Sequence, residues 1–429
     1  MRRLTVALTL LATLAAGAHT GSRALSAERD TAGGRGTNVL VVGVDSRAGL
    51  SAAEKRRLHV GGKGCNCTDV MMLVHLSEDG RRASVVSIPR DSYVQYPLPG
   101  PPRFGKINGA YAIGAGPLTV RTVEQVTGLH VDHYLETGFT GFEQTVDNLG
   151  GATVCTDKPL LDEGSGLDIT AGVHHTDGNQ TLRYVRARHV NRPGDLGRVR
   201  RQQRTVNELL ARLSAEGALA DPLRAARTAR TLLKTVRPGP ATGLDDLVRI
   251  GWTLGRLRAE RTEFATVPIR VFDHRVPGVG STLLWHEARS AALWKALAED
   301  RPLTGDPRIQ PVPENPAETN PAGIRVRVDD PAVAEALARG GFQATAQPAP
   351  AVRPGGPPVI TYAPGGEADA ATLAAALPGA RLRPAPDHDK AFDVTVGTDP
   401  VHVKEVTYDR NKAEGAPVTA DTLRCPPAP

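Results

Sequence analysis

The sequence predicts an α/β protein of two domains separated by a proline-rich linker. Three observations support this fold class. Apolar runs of strand length alternate with amphipathic segments of helical period over residues 37–304. Residues 305–322 are rich in proline and poor in apolar side chains, which is typical of an extended linker. Residues 323–399 then repeat the alternation in a short β-α-β-α-β pattern, which predicts a second, small α/β domain.

The first domain is predicted to begin with three strands. NVLVVGVD (38–45) is a continuous apolar run, as expected for a buried strand, and it is followed by Asp45 and Arg47 at its end. DVMMLVHLS and RRASVVSIPRD are predicted to form two strands joined by a tight turn at EDG. The last of these strands ends on Arg90 and Asp91. Acidic and basic side chains therefore gather at strand ends.

Helices and strands alternate through the rest of this domain. PLTVRTVEQVTG (117–128) predicts a helix with proline in its first turn and glycine at its end. A strand in HVDHYLETGF, a helix in GFEQTVDNLGG and a strand in ATVCT follow, and then the acidic, glycine-rich loop LLDEGSGLD. Residues 205–260 are mostly helical in pattern, TEFATVPI predicts a strand, and LLWHEARSAALWKALAED predicts a closing amphipathic helix.

The N-terminus predicts export from the cytoplasm. Arg2 and Arg3 precede the apolar run LTVALTLLATLAAGA, so residues 1–27 are expected to be a signal peptide, cleaved near Ala18 or Ala27, or a short membrane anchor. The protein is then extracytoplasmic, either membrane-associated or secreted to the cell wall. The net charge of +6 and the pI near 9.2 suit anionic lipid, cell-wall polymer and nucleic acid alike. Export excludes nucleic acid as a partner.

Four cysteines in an oxidising compartment predict disulfides. Because the i, i+2 spacing disfavours a bridge between Cys65 and Cys67, either one is a candidate partner for Cys155, and the pairing we predict is Cys67 with Cys155. The alternative for the CxC pair is a metal site. The tail, residues 400–429, is polar and rich in proline, and it is expected to be flexible.

The densest charge in the chain lies in RYVRARHVNRPGDLGRVRRQQR (183–204), which holds eight arginines and a single acid, Asp195. LRYVRAR has strand character, so Arg186 and Arg188 are predicted to project from one face. Asp195 is placed to cap a helix that carries Arg198, Arg201 and Gln202 on one side. A bound phosphate or pyrophosphate suits this arrangement, and a solvated basic face is the alternative. The remaining arginines are expected to be surface charge: Arg183, Arg192, Arg200 and Arg204.

Two aspartates at strand ends are candidate metal ligands. Asp45 and Asp69 are hard oxygen donors suited to Mg²⁺, which usually takes one or two protein carboxylates together with phosphate oxygens. Either residue alone is also a common turn or cap residue. Together with Arg47 and Arg90 they predict a phosphoryl-transfer site, where catalysis depends on positioning and charge neutralisation. The sequence contains no GxxxxGK[ST], HExxH or GxSxG motif.

Eight motifs in order resemble the LytR-CpsA-Psr (LCP) family over about residues 37–305. They are NVLVVGVDSRAGL, CTDVMML, VVSIPRDSYV, KINGAYAIG, VEQVTGLHVDHYLE, FTGFEQTVDNLGGATV, HHTDGNQTLRYVRAR and GDLGRVRRQQR. The segment from Gly323 to Thr398 is similar to the LytR C-terminal accessory domain, through GIRVRV, ARGGF, ITYAPG and VTVGTD.

The resemblance implies a fold, an activity and partners. The LCP fold is an α/β fold with a central, largely antiparallel sheet flanked by helices and an apolar tunnel for a polyprenyl chain; DVMMLVHL and FTGFEQTV are candidate tunnel segments here. The implied activity is transfer of a glycopolymer (a teichoic acid, arabinogalactan or capsular chain) from an undecaprenyl-pyrophosphate carrier to peptidoglycan through a phosphodiester. The implied cofactor is Mg²⁺ or Mn²⁺. The implied partners are the lipid-linked polymer, the peptidoglycan acceptor and the membrane surface.

The resemblance also assigns roles to residues. Asp45 and Asp69 would bind the metal. Asp195 would orient arginines or assist proton removal, and it is grouped as catalytic with Arg90, Arg186, Arg188 and Arg198. The residues expected to hold the pyrophosphate are Arg47, Arg90, Arg186, Arg188, Arg198, Arg201 and Gln202. One departure is that Cys67 and Thr68 precede Asp69, where family members commonly have serine.

Two other functions are compatible with the same residues. A pyrophosphate hydrolase would cleave the polyprenyl pyrophosphate at the same site, with water in place of peptidoglycan as the acceptor of the polymer. A non-enzymatic wall protein would use the basic stretch to bind polyanions, and its binding would be salt-sensitive and independent of Asp45 and Asp69.

Overall fold

The computed structural model of the chain describes residues 35–61, 64–188, 190, 195–215, 234–240, 242–349, 352 and 354–426. The predicted signal peptide or anchor, residues 1–27, lies outside these residues. No helix within them combines the length and the apolar character needed to cross a bilayer. The chain forms two compact units, one made of the residues up to Ile309 together with those from Pro417 on, the other of Gln310–Ala416.

The helices and strands follow in chain order. Up to Ile309 they are β1 (Thr37–Val44), α1 (Ala52–Arg57), β2 (Thr68–Leu76), β3 (Ala83–Ser87), β4 (Tyr93–Tyr96), β5 (Arg103–Lys106), α2 (Gly109–Thr127), β6 (His133–Thr137), α3 (Phe139–Asn148), β7 (Ala152–Thr156), β8 (Leu160–Asp162), β9 (Leu167–Ile169), β10 (Gly172–Thr176), α4 (Gly178–Arg186), α5 (Asp195–Ala215), β11 (Arg237–Pro238), α6 (Leu244–Gly255), β12 (Thr262–Thr266), β13 (Ile269–Val276), β14 (Gly280–Trp285) and α7 (Glu287–Ala298). After it they are β15 (Arg325–Val328), α8 (Pro331–Arg339), β16 (Gln343–Ala346), β17 (Val359–Tyr362), α9 (Glu367–Ala376), β18 (Arg381–Pro384), β19 (Phe392–Thr395), α10 (Arg410–Gly415) and β20 (Val418–Thr419).

A mixed sheet with helices on both faces organises the first unit. In the described residues it has seven strands in the order β11-β6-β1-β2-β3-β12-β20. The pairs β1–β6 and β3–β12 are parallel and the other four are antiparallel, so the prediction of a largely antiparallel sheet is confirmed. One face packs on α2 and α7 through residues such as Leu40, Leu73 and Leu293. The other face, which includes Met72 and Val85, meets α5.

The antiparallel pairing of β1, β2 and β3 brings three predicted strand ends to one edge. Val44 at the end of β1 lies opposite Thr68 at the start of β2. Met72 in β2 lies opposite Ser87 at the end of β3. The segments that carry the candidate aspartates and arginines therefore meet where the chain leaves or enters the sheet, as the sequence predicts.

The strand predicted in LRYVRAR is wrong, because residues up to Arg186 are helical. Asp177 caps α4 by accepting from the backbone N–H of Gln180, at 2.7 Å, and the Asp177 backbone N–H donates to the Gln180 side-chain oxygen at 3.3 Å. This capping box satisfies two N-terminal amide groups and fixes the start of a helix. The helix ends at Arg186, and Ala187 is already extended at φ −57°, ψ 135°.

The helix predicted from Pro117 is confirmed, but it is part of a longer, interrupted one. α2 begins at Gly109, and its backbone leaves helical geometry at Gly114 and Ala115, where φ is −145° and 49°. Pro117 lies in the first turn after this break. That position tolerates proline, because the first amide groups of a helix have no partner within it.

The second unit is a small α/β domain, in agreement with the sequence. Its five strands are ordered β16-β15-β19-β17-β18, and of the pairs described, only β17–β19 is antiparallel. Helices α8 and α9 contribute Leu337 and Leu373 to a core that contains Val328, Ile360 and Val394. The unit begins at Gln310, inside the predicted linker.

The described part of the tail is ordered, so the prediction of a flexible tail is wrong there: residues 400–416 belong to the second unit, and the residues from Pro417 on belong to the first. β20 pairs with β12, and the Asn207 side-chain amide donates to the Ala420 carbonyl at 2.9 Å. Leu423 is buried beside Met72 and Phe264. The apolar side chains of Val418, Ala420 and Leu423 pack on the sheet and on α5, a packing that the polar composition did not reveal.

The predicted cysteine pairing is also wrong. Cys65 is bonded to Cys67 and Cys155 to Cys425, with Cα–Cα distances of 5.1 and 5.6 Å. Asn66, between the first two, has φ 47° in the left-handed region, and this turn brings the i, i+2 pair together. Because Cys67 is bonded to Cys65, the partner of Cys155 is Cys425, which lies in the tail.

The bond between Cys155 and Cys425 is predicted to contribute most of the disulfide stabilisation. It joins residues 270 apart, against 2 for the Cys65–Cys67 bond. Because a cross-link restricts the unfolded chain more when it closes a longer loop, replacing Cys155 and Cys425 together by serine should lower the free energy of unfolding by about 2–5 kcal/mol. Chemical unfolding monitored by circular dichroism measures this loss. The matched double variant of Cys65 and Cys67 should lose far less, and equal losses would refute the prediction.

Candidate functional site

Asp45 and Arg47 form the first part of the site, just after β1. The Asp45 backbone N–H donates to the Cys67 carbonyl at 2.9 Å, which ties the end of β1 to the start of β2. Arg47 grips the buried Asp45 carboxylate with two hydrogen bonds, Nε to Oδ1 at 2.8 Å and Nη2 to Oδ2 at 2.9 Å. The hydrogen bonding to Asp45 raises the pKa of Arg47. The pair is a fixed, bidentate unit at the sheet edge.

Asp69 enters the same edge from β2. Its Oδ1 accepts from Arg90 Nη1 at 2.5 Å and lies 3.7 Å from Arg188 Nη2. Burial by itself would raise the pKa of Asp69, but nearby guanidinium groups outweigh burial and hold that pKa below its ordinary value. These groups belong to Arg90, Arg198 and Arg188. Asp69 is therefore an anion at neutral pH.

Arg90 lies just after β3 and links Asp69 to a second ion pair. Its Nε is 3.5 Å from Asp91 Oδ2, and Lys106 Nζ is 2.7 Å from Asp91 Oδ1. Arg90 does not line the cavity described below, and it reaches the site through its hydrogen bond to Asp69. Arg90 thus lies beside the candidate metal ligand Asp69, as predicted, but Asp69 and not Arg90 lines the cavity.

Arg186 is held rigidly at the C-terminal end of α4. Its Nη1 donates to the Leu58 carbonyl at 2.7 Å and its Nη2 to the His59 carbonyl at 3.2 Å. The guanidinium carbon lies 5.0 Å from the centre of the Phe139 ring, a cation–π contact. Burial lowers the pKa of Arg186, while the charges of Asp45 and Asp69 oppose that shift. Arg186 is therefore preorganised beside both aspartates.

Arg188 reaches the same place from the extended segment after α4. Its backbone N–H donates to Asp162 Oδ2, and its guanidinium approaches Asp69. Asp162 also accepts from the Gly164 backbone at 2.9 Å, so the loop after β8 anchors the arginine segment. The sequence did not identify Asp162 as a site residue. Its signal was the acidic, glycine-rich loop LLDEGSGLD, in which an aspartate two residues before a glycine favours a tight turn closed by its side chain.

The three residues predicted to share one face of α5 do not all reach the cavity. Arg198 and Gln202, four residues apart, both line the cavity, and Arg198 is buried. Arg201 instead donates from Nε to the Tyr184 carbonyl at 3.2 Å and from Nη2 to the Ala187 carbonyl. A cation at the last carbonyls of α4 stabilises the end of that helix. Arg201, like Arg90, is therefore not brought to the cavity lining with the other predicted pyrophosphate ligands.

Three further arginines of the run, Arg183, Arg200 and Arg204, lie outside the cavity lining. Arg183 donates to the Gly166 carbonyl at 3.2 Å, and Arg200 donates to Gln203 Oε1 at 3.2 Å. The side chain of Asp195 and all of Arg192 lie outside the described residues. The backbone of Asp195 opens α5, where the sequence placed a cap. The catalytic role assigned to Asp195 stays a prediction.

Replacing Arg201 is predicted to affect stability. Arg201→Ala leaves two buried backbone carbonyls without their donors, so the free energy of unfolding should fall by about 1–3 kcal/mol. Denaturant unfolding measures the loss. The control is Arg258→Ala, at an exposed arginine. An unchanged unfolding midpoint for Arg201→Ala would show that the contacts at the end of α4 contribute nothing.

A cavity of about 370 Å³, lined mostly by apolar side chains, lies beside the charged residues of the site. The sheet contributes Val41, Val44, Val70 and Met72 to its wall. The helices α3, α4 and α5 contribute Phe139, Phe142, Leu182, Val185 and Val206. The polar lining consists chiefly of Arg47, Asp69, Asp162, Arg186, Arg188, Arg198 and Gln202. Both segments expected to line a tunnel, DVMMLVHL and FTGFEQTV, thus contribute to the cavity.

Asp45 and Asp69 are the carboxylates that could hold a metal ion, and both are hydrogen-bonded to arginines in the structure. Asp45 and Asp69 both act electrostatically on Arg47 and on Arg186, which places the carboxylates in one neighbourhood. Within the described part of the chain, no cluster of three or more histidine, cysteine or acidic side chains is arranged to hold a metal. Two carboxylates suit Mg²⁺, which keeps water and phosphate oxygens as its other ligands.

Comparison with known proteins identifies the family. The profile of the LytR_cpsA_psr family matches residues 11–299, which is more than half of the chain. The chain belongs to the LytR_cpsA_psr family. A second profile, described as LytR cell envelope-related transcriptional attenuator, matches residues 331–399 in the second unit. Both resemblances noted in the sequence are thereby confirmed.

Relatives of the LytR_cpsA_psr chain are similar over part of their length. The probable cell wall biosynthesis protein LcpB of Corynebacterium glutamicum is 38% identical over 264 residues, which is 61% of each chain. The cell wall biosynthesis protein LcpA of the same species is 29% identical over 55% of this chain and 51% of its own. The polyisoprenyl-teichoic acid–peptidoglycan teichoic acid transferase TagT of Bacillus subtilis is 33% identical over 40% of this chain and 51% of its own. The chain thus spans about half to three fifths of these relatives.

Solved structures confirm the fold of this LytR_cpsA_psr chain. TagV of Bacillus subtilis matches with a TM-score of 0.50 and 22% identity over 62% of this chain and 98% of TagV. The protein gbs0355 of Streptococcus agalactiae matches with a TM-score of 0.51 and 19% identity over 62% of this chain and 89% of its own. The predicted fold class is therefore observed both in the elements themselves and in these matches.

Proposed function

We propose that this protein transfers a glycopolymer from an undecaprenyl-pyrophosphate carrier to peptidoglycan. The observation that supports this most is that four arginines and Asp69 line the same cavity as a wall of apolar side chains. A polyprenyl pyrophosphate has the same two parts, a hydrocarbon chain and an anionic head. The wall of Val41, Val70, Met72 and Phe142 suits the chain, and the arginines suit the head.

The charge of the site favours a pyrophosphate over a single carboxylate or a neutral head group. Five guanidinium groups lie around three carboxylates, those of Asp45, Asp69 and Asp162, which leaves a positive excess. Arginine donates from a planar fork that matches two phosphate oxygens. The guanidinium groups belong to Arg47, Arg90, Arg186, Arg188 and Arg198.

The names of the relatives support the substrate class. TagT is named as a transferase that takes teichoic acid from a polyisoprenyl carrier to peptidoglycan, and LcpA as a cell wall biosynthesis protein. We extend these activities to this chain on the strength of the shared family and the cavity. The two disulfides and the N-terminal pattern support a location outside the cytoplasm, at the membrane surface where a lipid carrier is found.

The transfer is a phosphoryl displacement. An acceptor hydroxyl oxygen forms a bond to the phosphorus that carries the sugar, and the bond from this phosphorus to the bridging oxygen breaks. Undecaprenyl phosphate leaves with the bonding electrons, and the hydroxyl proton goes to a base. The arginines bind the pyrophosphate in place and neutralise the charge that builds up on the leaving oxygen.

The roles of the acids differ in this proposal. Asp45 and Asp69 are the residues that would hold Mg²⁺ or Mn²⁺, which supplies charge neutralisation on the phosphate oxygens when bound. Because the pKa of Asp69 is lowered, Asp69 is suited to bind cations and poorly suited to accept a proton. Proton removal is assigned to Asp195, as the family resemblance implies.

Product analysis tests the proposed function. Purified protein is incubated with an undecaprenyl-pyrophosphate-linked glycopolymer and Mg²⁺, with and without peptidoglycan. The proposal expects undecaprenyl phosphate and a polymer bound covalently to peptidoglycan. Polymer released only to water, at equal rates with and without the acceptor, would establish a hydrolase. Binding of the polymer without any release, unaffected by Asp45→Asn and Asp69→Asn, would establish a polyanion-binding wall protein.

A further inference from the structure

The outer face of the hairpin β4–β5 carries two aromatic and two polar side chains. Tyr93 lies opposite Lys106, and Gln95 lies opposite Phe104. Because side chains alternate along a strand and paired residues point the same way, these four share one face. Val94, on the other face, is buried in the core. All the tryptophan, tyrosine and phenylalanine residues of the chain lie in its described part, and among them only Phe104 is exposed, at 47%.

The rings on this face hold one another in position. The Tyr93 and Phe104 rings stack with centroids 5.8 Å apart and an angle of 23° between their planes. His274, from the neighbouring hairpin β13–β14, tilts against Tyr93 with centroids 5.7 Å apart. We call Tyr93, Phe104 and His274 the aromatic platform. Its geometry is set before any ligand arrives, which reduces the entropy lost on binding.

A chain of ion pairs joins the aromatic platform to the phosphate site. Lys106, beside Tyr93, pairs with Asp91 at 2.7 Å, and Asp91 lies 3.5 Å from Arg90. Arg90 in turn binds Asp69. Tyr93 follows Arg90 by three residues, so their Cα atoms are within about 11 Å of each other at roughly 3.6 Å per residue. The aromatic platform is therefore linked, through Lys106, Asp91 and Arg90, to Asp69 in the cavity lining.

We propose that the aromatic platform, with Gln95 and Lys106, binds the sugar rings of the peptidoglycan glycan strand that accepts the polymer. This rests on the proposed function, in which a second substrate must reach the phosphorus from outside the lipid cavity. The C–H face of a sugar ring carries partial positive charge and packs flat on the negative face of an aromatic ring. The Gln95 amide and the Lys106 ammonium group provide donors for the hydroxyl and acetamido oxygens around the ring.

Direct binding tests this without turnover. Isothermal titration calorimetry with soluble, uncrosslinked peptidoglycan glycan strands compares wild-type protein with Phe104→Ala, Phe104→Leu and Phe104→Trp. Loss of one sugar–aromatic stack should weaken binding about five- to tenfold in the alanine and leucine variants, and tryptophan should restore it. Leu244→Ala removes an exposed apolar side chain from α6 and serves as the control, with wild-type affinity.

Steady-state kinetics of polymer transfer provide a second test of the glycan site. The KM for the glycan strands should rise in Phe104→Ala, while the KM for the lipid-linked donor should not. Wild-type affinity in Phe104→Ala, or no measurable binding of strands by the wild-type protein, would overturn the proposal. Full binding in Phe104→Leu would do the same, because it would indicate an apolar contact of the kind made by a protein partner. Strand binding that depends on Phe104 in a protein that transfers no polymer would refute the proposed function and leave the glycan site standing.

Discussion

Arg186→Ala is expected to reduce kcat/KM for the lipid-linked donor by about 100- to 1,000-fold, the usual cost of removing a preorganised donor to developing charge. Arg186 is suited to this role because its position is fixed before substrate arrives. Two backbone carbonyls and the Phe139 ring hold its guanidinium group, so little entropy is lost when a pyrophosphate binds. Steady-state release of undecaprenyl phosphate measures the effect.

The conservative variant and a control sharpen this prediction. Arg186→Lys keeps the charge, but a lysine ammonium cannot reproduce the planar fork that spans the Leu58 and His59 carbonyls, so it should lose nearly as much activity. Arg183→Ala removes an arginine three residues earlier on the same helix that does not line the cavity, and it should retain most activity. The assigned role would be contradicted if the activity lost in Arg186→Ala were accounted for by the fraction of the variant that is unfolded at the assay temperature. Wild-type turnover in Arg186→Lys would contradict it as well.

Val41→Trp is expected to abolish the use of long polyprenyl donors. Val41 lies half-buried in the wall of the cavity, so an indole ring at this position would occupy space that the lipid needs. Burial of one CH₂ group contributes about 0.8 kcal/mol, so excluding a single five-carbon unit costs roughly 4 kcal/mol, or about a thousandfold in affinity. Binding of undecaprenyl and geranyl pyrophosphates, measured in parallel, checks the prediction.

The length of the donor distinguishes a blocked cavity from a damaged fold. The affinity for geranyl pyrophosphate, which has a short chain, should fall much less than that for undecaprenyl pyrophosphate. Val41→Ala enlarges the same cavity and should preserve binding of the long chain. Equal losses for both donors in Val41→Trp would show that the cavity does not hold the chain.

The sequence predicted the edge of the sheet because strand order follows directly from local pattern. The tight turn at EDG predicts that β2 and β3 are antiparallel neighbours, which brings Asp69 and Arg90 together; the antiparallel pairing of β1 with β2, which adds Asp45, is seen only in the structure. The apolar wall was expected from the family resemblance, which implied DVMMLVHL and FTGFEQTV as candidate tunnel segments.

The arginine run could not be resolved from spacing alone. LRYVRAR has strand character, and the helix observed depends on a capping box formed by Asp177 and Gln180, a signal that lies upstream of the arginines. Arg201 and Gln202 are adjacent on α5, and the task of Arg201 is set by the carbonyls of another helix. Tertiary contacts of this kind leave no periodic trace in the sequence.

The cysteines show a second limit. Spacing argued against a bond between Cys65 and Cys67, but a single residue with φ 47° makes it possible. The partner of Cys155 comes from the far end of the chain, after the second unit, and only the packing of the tail on the first unit reveals it. Connectivity among four cysteines is not deducible from their order.

The central claim is that one site holds both ends of a polyprenyl pyrophosphate, and a crystal structure with geranylgeranyl pyrophosphate tests it most directly. We expect electron density for the diphosphate in contact with the guanidinium groups of Arg47, Arg186, Arg188 and Arg198. The hydrocarbon chain should run along Val41, Met72 and Phe142 inside the cavity. A diphosphate bound elsewhere, or a chain that lies outside the cavity while the arginines hold the head group, would contradict it.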